Sequence, residues 1–313
     1  MNLIDLHCDT ILRCMDDKEK IGIRENELCI DIRKLRKAES VAQFFAMYVD
    51  LEIFKDPMAE CLRMIDRFYA ELEENSDEIR LATNYAELLR NMEEGKLSAF
   101  LAVEDGGPIG TEMYKLRTLY RLGVRLITLT WNYPNGIGYP NHEWVHRDKG
   151  LTPFGEEAVY EMNRLGMAID VSHLSDQGFY DVARFSGKPF LASHSNARAV
   201  TGVSRNLPDD MIRILADKGG VTGLNYESLF LGDSEIGMIS DMVRHIKHIV
   251  KVGGIEVMAI GGDLDGSMHE TELGNIGEVG RLVDALRQSG FSESDIEKIM
   301  YKNAIRFIKD VMK

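Results

Sequence analysis

The sequence predicts an α/β protein folded as a (β/α)8 barrel of the TIM type, with a long loop after the fourth strand. Eight short, nearly continuous apolar runs are spread along its 313 residues, and longer amphipathic segments separate them. Strands of a parallel sheet buried on both faces have this pattern. Eight such strands favour a closed barrel over a doubly wound sheet, which remains the alternative.

The strand-like and helix-like segments alternate along the whole chain. The apolar runs cover residues 3–6, 42–49, 99–103, 125–130, 168–171, 189–193, 220–225 and 257–262. Helical segments are predicted over residues 57–72, 155–165, 208–218 and 234–252. Helix starts are well marked, because Thr152-Pro153 precedes two glutamates and Pro208 precedes two aspartates.

The remaining stretches indicate how the chain is organised. Residues 131–152, rich in Gly, Pro, Asn and His, predict a long and functional loop after the fourth strand. No linker, repeat or low-complexity tract interrupts the sequence. We therefore expect one domain over residues 1–313.

Composition excludes several classes of partner. The chain has 37 Lys and Arg against 51 Asp and Glu, a net charge of −14, which argues against nucleic acid or an anionic membrane as partner. Its four cysteines have no zinc-knuckle or disulfide-framework spacing, so they are expected to be free thiols. No apolar run reaches the ~18–20 residues of a membrane span. These observations predict a cytoplasmic protein.

Polar residues with metal-binding or acid–base chemistry follow the ends of five predicted strands. They are His7, Asp9, Glu104, His173, His194 and Asp263. Side chains alternate along a strand, so His7 and Asp9 point to the same side. Because active sites of such barrels lie at the C-terminal strand ends, these groups are expected to converge.

Five of these residues together predict a centre with two metal ions. Three imidazoles and two carboxylates suit Zn²⁺, although other divalent ions are possible. A catalytic zinc usually takes three protein ligands, so five indicate two ions that share Glu104 as a bridge. Two such ions could share a hydroxide that acts as nucleophile near neutral pH. Asp263 is open to two interpretations, metal ligand or proton shuttle.

Other histidines offer weaker alternatives. Residues 142–146 form a literal HExxH, the zinc-protease motif, which requires a long helix. Pro140 before it and Gly150 after it leave barely two turns, which favours a substrate-contacting or surface loop. His245 and His248 lie on a predicted basic helix face, and we expect both to be solvated.

The motifs that carry these residues resemble those of the membrane (renal) dipeptidase family, metallopeptidase family M19, within the amidohydrolase-like barrels. The likeness covers residues 3–308 and depends on several motifs. They are DLHCDT at 5–10, AQFFAMYVD at 42–50, VEDG at 103–106, GLTPFG at 150–155, DVSHLSD at 170–176, ASHSNAR at 192–198, SRNLPD at 204–209 and GGDLDG at 261–266.

The resemblance assigns roles to individual positions. It implies that His7 and Asp9 bind one zinc, that His173 and His194 bind the other, and that Glu104 bridges them. It implies further that Asp263 is the catalytic acid/base and that Arg205 binds the substrate carboxylate. The family also implies a homodimer and a dipeptide substrate, including L-Xaa-D-Xaa.

One position departs from the family. Where mammalian members have Thr-His after the fourth strand, this chain has Thr130-Trp131. Trp131 could donate a hydrogen bond to substrate through its indole N–H, but it cannot act as an imidazolium. This departure leaves open an amidohydrolase acting on N-acyl amino acids, lactones or phosphoesters. A non-catalytic binding protein on the same barrel is the alternative of another class.

Overall fold

The computed structural model describes residues 1–15, 21–267 and 269–313, and these ranges contain nine β-strands and thirteen α-helices. The strands are β1 (Leu3–Cys8), β2 (Ser40–Tyr48), β3 (Ile79–Leu81), β4 (Leu97–Glu104), β5 (Val124–Thr128), β6 (Ala168–Asp170), β7 (Leu191–Ala192), β8 (Val221–Leu224) and β9 (Met258–Ile260). The helices are α1 (Thr10–Cys14), α2 (Ile32–Lys37), α3 (Pro57–Glu74), α4 (Tyr85–Glu93), α5 (Met113–Arg121), α6 (Pro153–Leu165), α7 (Asp176–Phe185), α8 (Asp209–Asp217), α9 (Ser228–Leu231), α10 (Ile239–Gly253), α11 (Gly280–Gln288), α12 (Glu293–Glu297) and α13 (Asn303–Val311).

Eight of the strands form a closed parallel ring. It runs β1, β2, β4, β5, β6, β7, β8, β9 and back to β1. The closed ring confirms the predicted (β/α)8 barrel and excludes the doubly wound sheet, which would leave two edge strands. The short strand β3 was not predicted; it pairs with the start of β4 beside the ring.

Two apolar layers hold the barrel together. Inward-facing residues such as Ile4, Phe44 and Phe100 fill the ring, and the two phenyl rings stack with centroids 4.6 Å apart. Residues of α13, including Phe307, join this inner cluster. A second, larger cluster lies between the strands and the surrounding helices. Truncating a buried phenylalanine such as Phe44 to alanine typically costs ~3–5 kcal/mol.

The helix starts marked by proline lie where they were predicted, but one other helix begins later than predicted. Thr152 caps α6 by accepting a hydrogen bond from the Gly155 N–H, and Pro153 is the first helical residue. The helix predicted to begin at residue 234 begins instead at Ile239. The backbone just before it is engaged elsewhere, because the Gly237 N–H donates to the Glu270 carbonyl.

The long loop lies where it was predicted, after β5, the fourth strand of the ring. It packs on the segment after β6: the Asn141 N–H donates to the His173 carbonyl, and the Ser175 N–H donates to the Tyr139 carbonyl. The HExxH residues form a single 3-10 turn, in which Glu143 and Trp144 have φ of 47° and 64°. This backbone excludes the zinc-protease helix.

The described residues contain no helix with the length and apolar character that a membrane span requires.

Cys8, Cys14, Cys29 and Cys61 are all free thiols, as predicted. Cys8 is fully buried in the outer apolar layer, and its Sγ accepts a hydrogen bond from the Thr10 hydroxyl.

His245 is fully buried, so the prediction that it is solvated is wrong. Its Nδ1 accepts a hydrogen bond from the Ala197 N–H at 3.1 Å, and its Nε2 lies 3.0 Å from the Leu231 carbonyl oxygen. The proton is therefore on Nε2, and the ring ties α10 to the segment after β7. His248 is half-buried and lies 2.7 Å from Asp209 Oδ1.

We expect His245 to make the fold sensitive to acid. Burial lowers its pKa to about 4, against an ordinary value of about 6.5. The neutral ring stabilises the fold fully above pH ~6.5, and this contribution is lost as the pH falls toward ~4, because the unfolded chain binds the proton first. The lowering of the His245 pKa corresponds to a loss of about 3 kcal/mol in the free energy of unfolding.

The variant His245→Gln tests this expectation. Its amide can make both hydrogen bonds but does not titrate. The free energy of unfolding, measured by urea denaturation, should therefore decline less steeply with acid in the variant than in the wild type. Parallel pH profiles would contradict the prediction.

Candidate metal centre

The residues predicted from strand ends meet at the C-terminal end of the barrel. Their positions in the fold are His7 in β1, Asp9 just beyond it, Glu104 at the end of β4, His173 after β6, His194 after β7 and Asp263 after β9. Three groups of these side chains place their donor atoms within 4.8 Å of one another: His7, Asp9 and Glu104; Glu104, His173 and His194; and His7, His194 and Asp263.

Glu104 lies between two sets of donors. Its Oε2 is 3.3 Å from His7 Nε2, which in turn is 3.3 Å from Asp9 Oδ2. Its Oε1 is 3.1 Å from His173 Nε2 and 3.6 Å from His194 Nε2. Each carboxylate oxygen of Glu104 therefore faces a different pair of side chains.

Several buried atoms of the cluster have no hydrogen-bond partner. They include both ring nitrogens of His7 and Oδ1 of Asp9. Buried polar atoms in folded proteins almost always have a partner, and an ion is one way to supply it. The backbone at Gly266 also lies very close to Asp9, since a Cβ at this glycine would be only 2.1 Å from Asp9 Oδ2.

Burial disfavours the charged forms of three groups of the cluster. It raises the pKa of Asp9 to about 6 and that of Asp263 to about 7. It lowers the pKa of His173 to about 3, and the nearby Arg205 guanidinium adds to the effect. A dication would favour the carboxylate forms and bind neutral imidazole, so the cluster has the donor chemistry of a metal site.

Backbone strain accompanies two of these positions. His173 and Asp263 adopt left-handed conformations with φ of 67° and 58°, which is uncommon for residues other than glycine. His173 is held by the long loop, because Asn141 bonds to its carbonyl and Asn132 Oδ1 lies 3.2 Å from its Nδ1. Strain of this kind concentrates at functional sites.

A cavity of about 810 Å³ opens onto the cluster. Its wall includes Asp9, Glu104, His173 and Asp263 together with the two predicted substrate residues, Arg205 and Trp131. Its volume falls in the ~300–1,000 Å³ range of small-molecule sites.

Arg205 is a buried cation in the wall of this cavity, only 6% exposed. Its Nη1 and Nη2 donate long hydrogen bonds of 3.3 and 3.4 Å to Ser195 Oγ and the His194 carbonyl. Its Nε has no partner, and its guanidinium lies 5.3 Å from the centre of the Phe230 ring. A guanidinium left so poorly satisfied is suited to pair with an anion.

Trp131 forms an aromatic wall beside the cluster. Its ring packs edge-on against Tyr48 at 4.9 Å, and its centroid lies 6.2 Å from that of His173. The backbone N–H of Trp131 donates a hydrogen bond to Asp105 Oδ2, and this contact fixes the start of the long loop.

Sequence reasoning missed two polar contacts of the site. Asn225 Nδ2 donates to Asp263 Oδ2 at 2.9 Å, and Asn132 contacts His173 as described. Asn225 had a readable signal, because it is the polar residue that closes the seventh apolar run. Asn132 had no such signal within its loop.

The sequence matches the family described as membrane dipeptidase (peptidase family M19) over residues 1–313. An uncharacterised Klebsiella pneumoniae protein encoded in the pqqA 5′ region is 33% identical over 244 residues, 74% of this chain and 89% of that protein.

Solved structures agree with this match. The dipeptidase AC, a metallopeptidase of family M19, superposes with a TM-score of 0.93 at 26% identity and covers 100% of this chain and 99% of its own. A metallopeptidase from Rhodobacter sphaeroides, liganded with a phosphinate mimic of L-Ala-D-Ala, gives 0.92 at 25% identity and 99% of each chain. The chain therefore belongs to the membrane dipeptidase family, peptidase family M19, and is a metal-dependent dipeptidase.

Proposed function

We propose that the cluster holds two Zn²⁺ ions and that the protein hydrolyses dipeptides with a free C-terminal carboxylate, including L-Xaa-D-Xaa. The single observation that carries the proposal is the position of Glu104, which directs one oxygen to His7 and the other to His173 and His194. His7 and Asp9 would hold one ion, and His173 and His194 the other. These nitrogen and oxygen donors are typical of zinc sites.

When bound, the ions would supply an acidified water for attack and polarise the scissile carbonyl. The contacts of Asp263 support a role in proton transfer, since its Oδ1 lies 3.8 Å from His7 Nε2 and its Oδ2 accepts a hydrogen bond from Asn225. It accepts a proton from the attacking water and delivers it to the leaving nitrogen as the C–N bond breaks. The carboxylate is thereby restored at the end of each turnover.

Arg205 would select substrates by length. A bidentate pair between its guanidinium and the C-terminal carboxylate would place the preceding peptide bond near the cluster, so peptides with more than one residue after the scissile bond would not fit. The relative from Rhodobacter sphaeroides binds a mimic of L-Ala-D-Ala, which supports the proposed tolerance of a D-residue at that end.

We expect Arg205→Ala to raise KM for dipeptides by about 10–100-fold, the range given by a lost charged hydrogen-bond pair of ~1.5–3 kcal/mol. Dipeptide amides lack the carboxylate, so their hydrolysis should change little. Steady-state kinetics with a dipeptide and its amide measures the difference. An equal effect on both substrates would contradict the role of Arg205 in carboxylate binding.

A second function is favoured by one observation, the presence of Trp131 in the cavity wall. The edge-to-face contact of Trp131 with Tyr48 creates an apolar surface beside His173. Such a surface could accommodate an acyl group in place of a free amino terminus. The second candidate is therefore an amidohydrolase of N-acyl amino acids with the same metal centre.

A substrate screen separates the two functions. Zinc-loaded protein would be assayed with L-Ala-L-Ala, L-Ala-D-Ala and N-acetyl-L-alanine, and its metal content measured by elemental analysis. We expect dipeptide turnover with two ions per chain. Turnover of the N-acyl amino acid alone would favour the second function, and well under one ion per chain would contradict both.

The family resemblance also predicts a homodimer, and the free thiols predict a cytoplasmic location. Size-exclusion chromatography with light scattering, and fractionation of the source cells, test these two predictions.

A further inference from the structure

A buried carboxylate outside the predicted site supports one of its histidines. Asp170 ends β6 and is fully buried. Its Oδ1 accepts hydrogen bonds from the Ser172 and Ser193 N–H groups at 3.0 and 2.8 Å. Its Oδ2 accepts from the hydroxyls of Thr128 and Ser193, both at 2.6 Å. Four donors saturate the carboxylate, whose two oxygens offer about four acceptor positions.

Ser193 connects this carboxylate to His194. Its Oγ lies 2.7 Å from His194 Nδ1. A serine hydroxyl has one proton, and here it is donated to Asp170, so the ring must donate its own proton from Nδ1 to Ser193 Oγ. His194 Nε2 is then left with a lone pair, and it faces Glu104 and His173.

We propose that Asp170 and Ser193 are positioning residues that fix the Nδ1–H tautomer of His194 and strengthen its Nε2 as a metal ligand. The inference rests on the proposed role of His194 as a ligand. A hydrogen bond from the non-ligating nitrogen to an acceptor orients a ligating imidazole and raises its basicity. The negative charge of Asp170 polarises the Ser193 hydroxyl and makes it a better acceptor.

The other two imidazoles of the cluster have weaker support. His173 Nδ1 meets the neutral amide oxygen of Asn132 at a longer 3.2 Å. His7 Nδ1 has no hydrogen-bond partner among the described residues. The hydrogen bonds that connect His194 through Ser193 to Asp170, here called the relay, therefore distinguish His194 from the other two imidazoles. We expect the ion bound by Glu104, His173 and His194 to be the more tightly held of the two.

The chain provides a matched pair of variants for a test. Ser193→Ala and Thr128→Val each remove one buried hydroxyl that donates to the same Asp170 oxygen. Only Ser193→Ala breaks the connection to His194. Affinities for Zn²⁺ would be measured by competition with a chromophoric chelator, and the visible spectrum of the Co²⁺-substituted protein would report on ligand geometry.

We expect Ser193→Ala to weaken binding of the tighter ion by about 10–100-fold and to alter the Co²⁺ spectrum. Thr128→Val should remain close to wild type in both measurements. Equal losses in the two variants, or no loss in Ser193→Ala, would overturn the relay.

Two further measurements complete the test. A ¹⁵N–¹H spectrum of the Zn²⁺-loaded wild-type protein should show a proton on His194 Nδ1, and a proton on Nε2 would overturn the proposal even if Ser193→Ala does not fold. His194→Ala separates the relay from the metal site. If that variant binds as many ions as wild type with equal affinity, the ligand assignment fails; if it loses an ion while Ser193→Ala matches Thr128→Val, only the relay fails.

Discussion

Replacing Glu104 with glutamine is expected to reduce kcat/KM for dipeptides by ~10³-fold or more, because it removes several kcal/mol of metal-dependent stabilisation. Glu104 faces both pairs of donors, so its replacement should weaken the binding of both ions. A neutral amide also offers only one good acceptor atom in place of two charged oxygens. Elemental analysis and kinetics of the zinc-loaded variant measure the two effects.

The control for this variant is Glu161→Gln. Glu161 lies on α6, where it forms ion pairs with Arg117 and Arg164. Its replacement should leave metal content and kcat/KM at wild-type levels. If Glu104→Gln retained two ions per chain and most of its activity, a bridging role for Glu104 would be wrong.

Asp263→Asn is expected to separate catalysis from metal binding. Loss of a general acid/base typically lowers kcat by ~10²–10⁴-fold. The amide is the same size, and its oxygen can still accept from Asn225, so KM and metal content should change little. A loss of ions comparable to that in Glu104→Gln would instead make Asp263 a ligand, which its place in a group with His7 and His194 also permits.

The pH profile gives a second readout for Asp263. Burial raises its pKa to about 7, and bound dications would lower the pKa by favouring the carboxylate. Because the base must be ionised to accept a proton, wild-type activity should fall as the pH drops below a value under 7. This acid limb should be absent from Asp263→Asn. An unchanged limb in the variant would mean that another group is the base.

The fold was predictable because parallel barrel strands are buried on both faces and stand out as apolar runs. The ends of the strands could be located from the same runs, and their positions predicted that His7, Glu104 and His173 lie close together. By contrast, β3 has only three residues and exposes Arg80, so it gave no apolar signal. Its pairing depends on contact with β4.

Other features depend on tertiary contacts that sequence patterns do not encode. His245 looks like a solvated residue on a basic helix, yet the packing of α10 presents it to the backbone of Ala197. The hydrogen bonds from Ser193 to Asp170 join neighbouring strands, and only their register brings the two residues together. The strand-end pattern identified the cluster, whereas the contacts that orient it required the structure.

The arrangement of the cluster also bears on how the protein matures. Its donors come from strands at opposite ends of the chain, from His7 to Asp263, so no short segment can assemble them before the ring closes. Contacts between such distant residues form slowly, since the entropy of closing the chain must be overcome first. A cation that binds only the closed ring would stabilise it by about 4 kcal/mol at a thousandfold excess over Kd. The supply of the metal ion would then govern the stability of the newly made barrel as well as its activity.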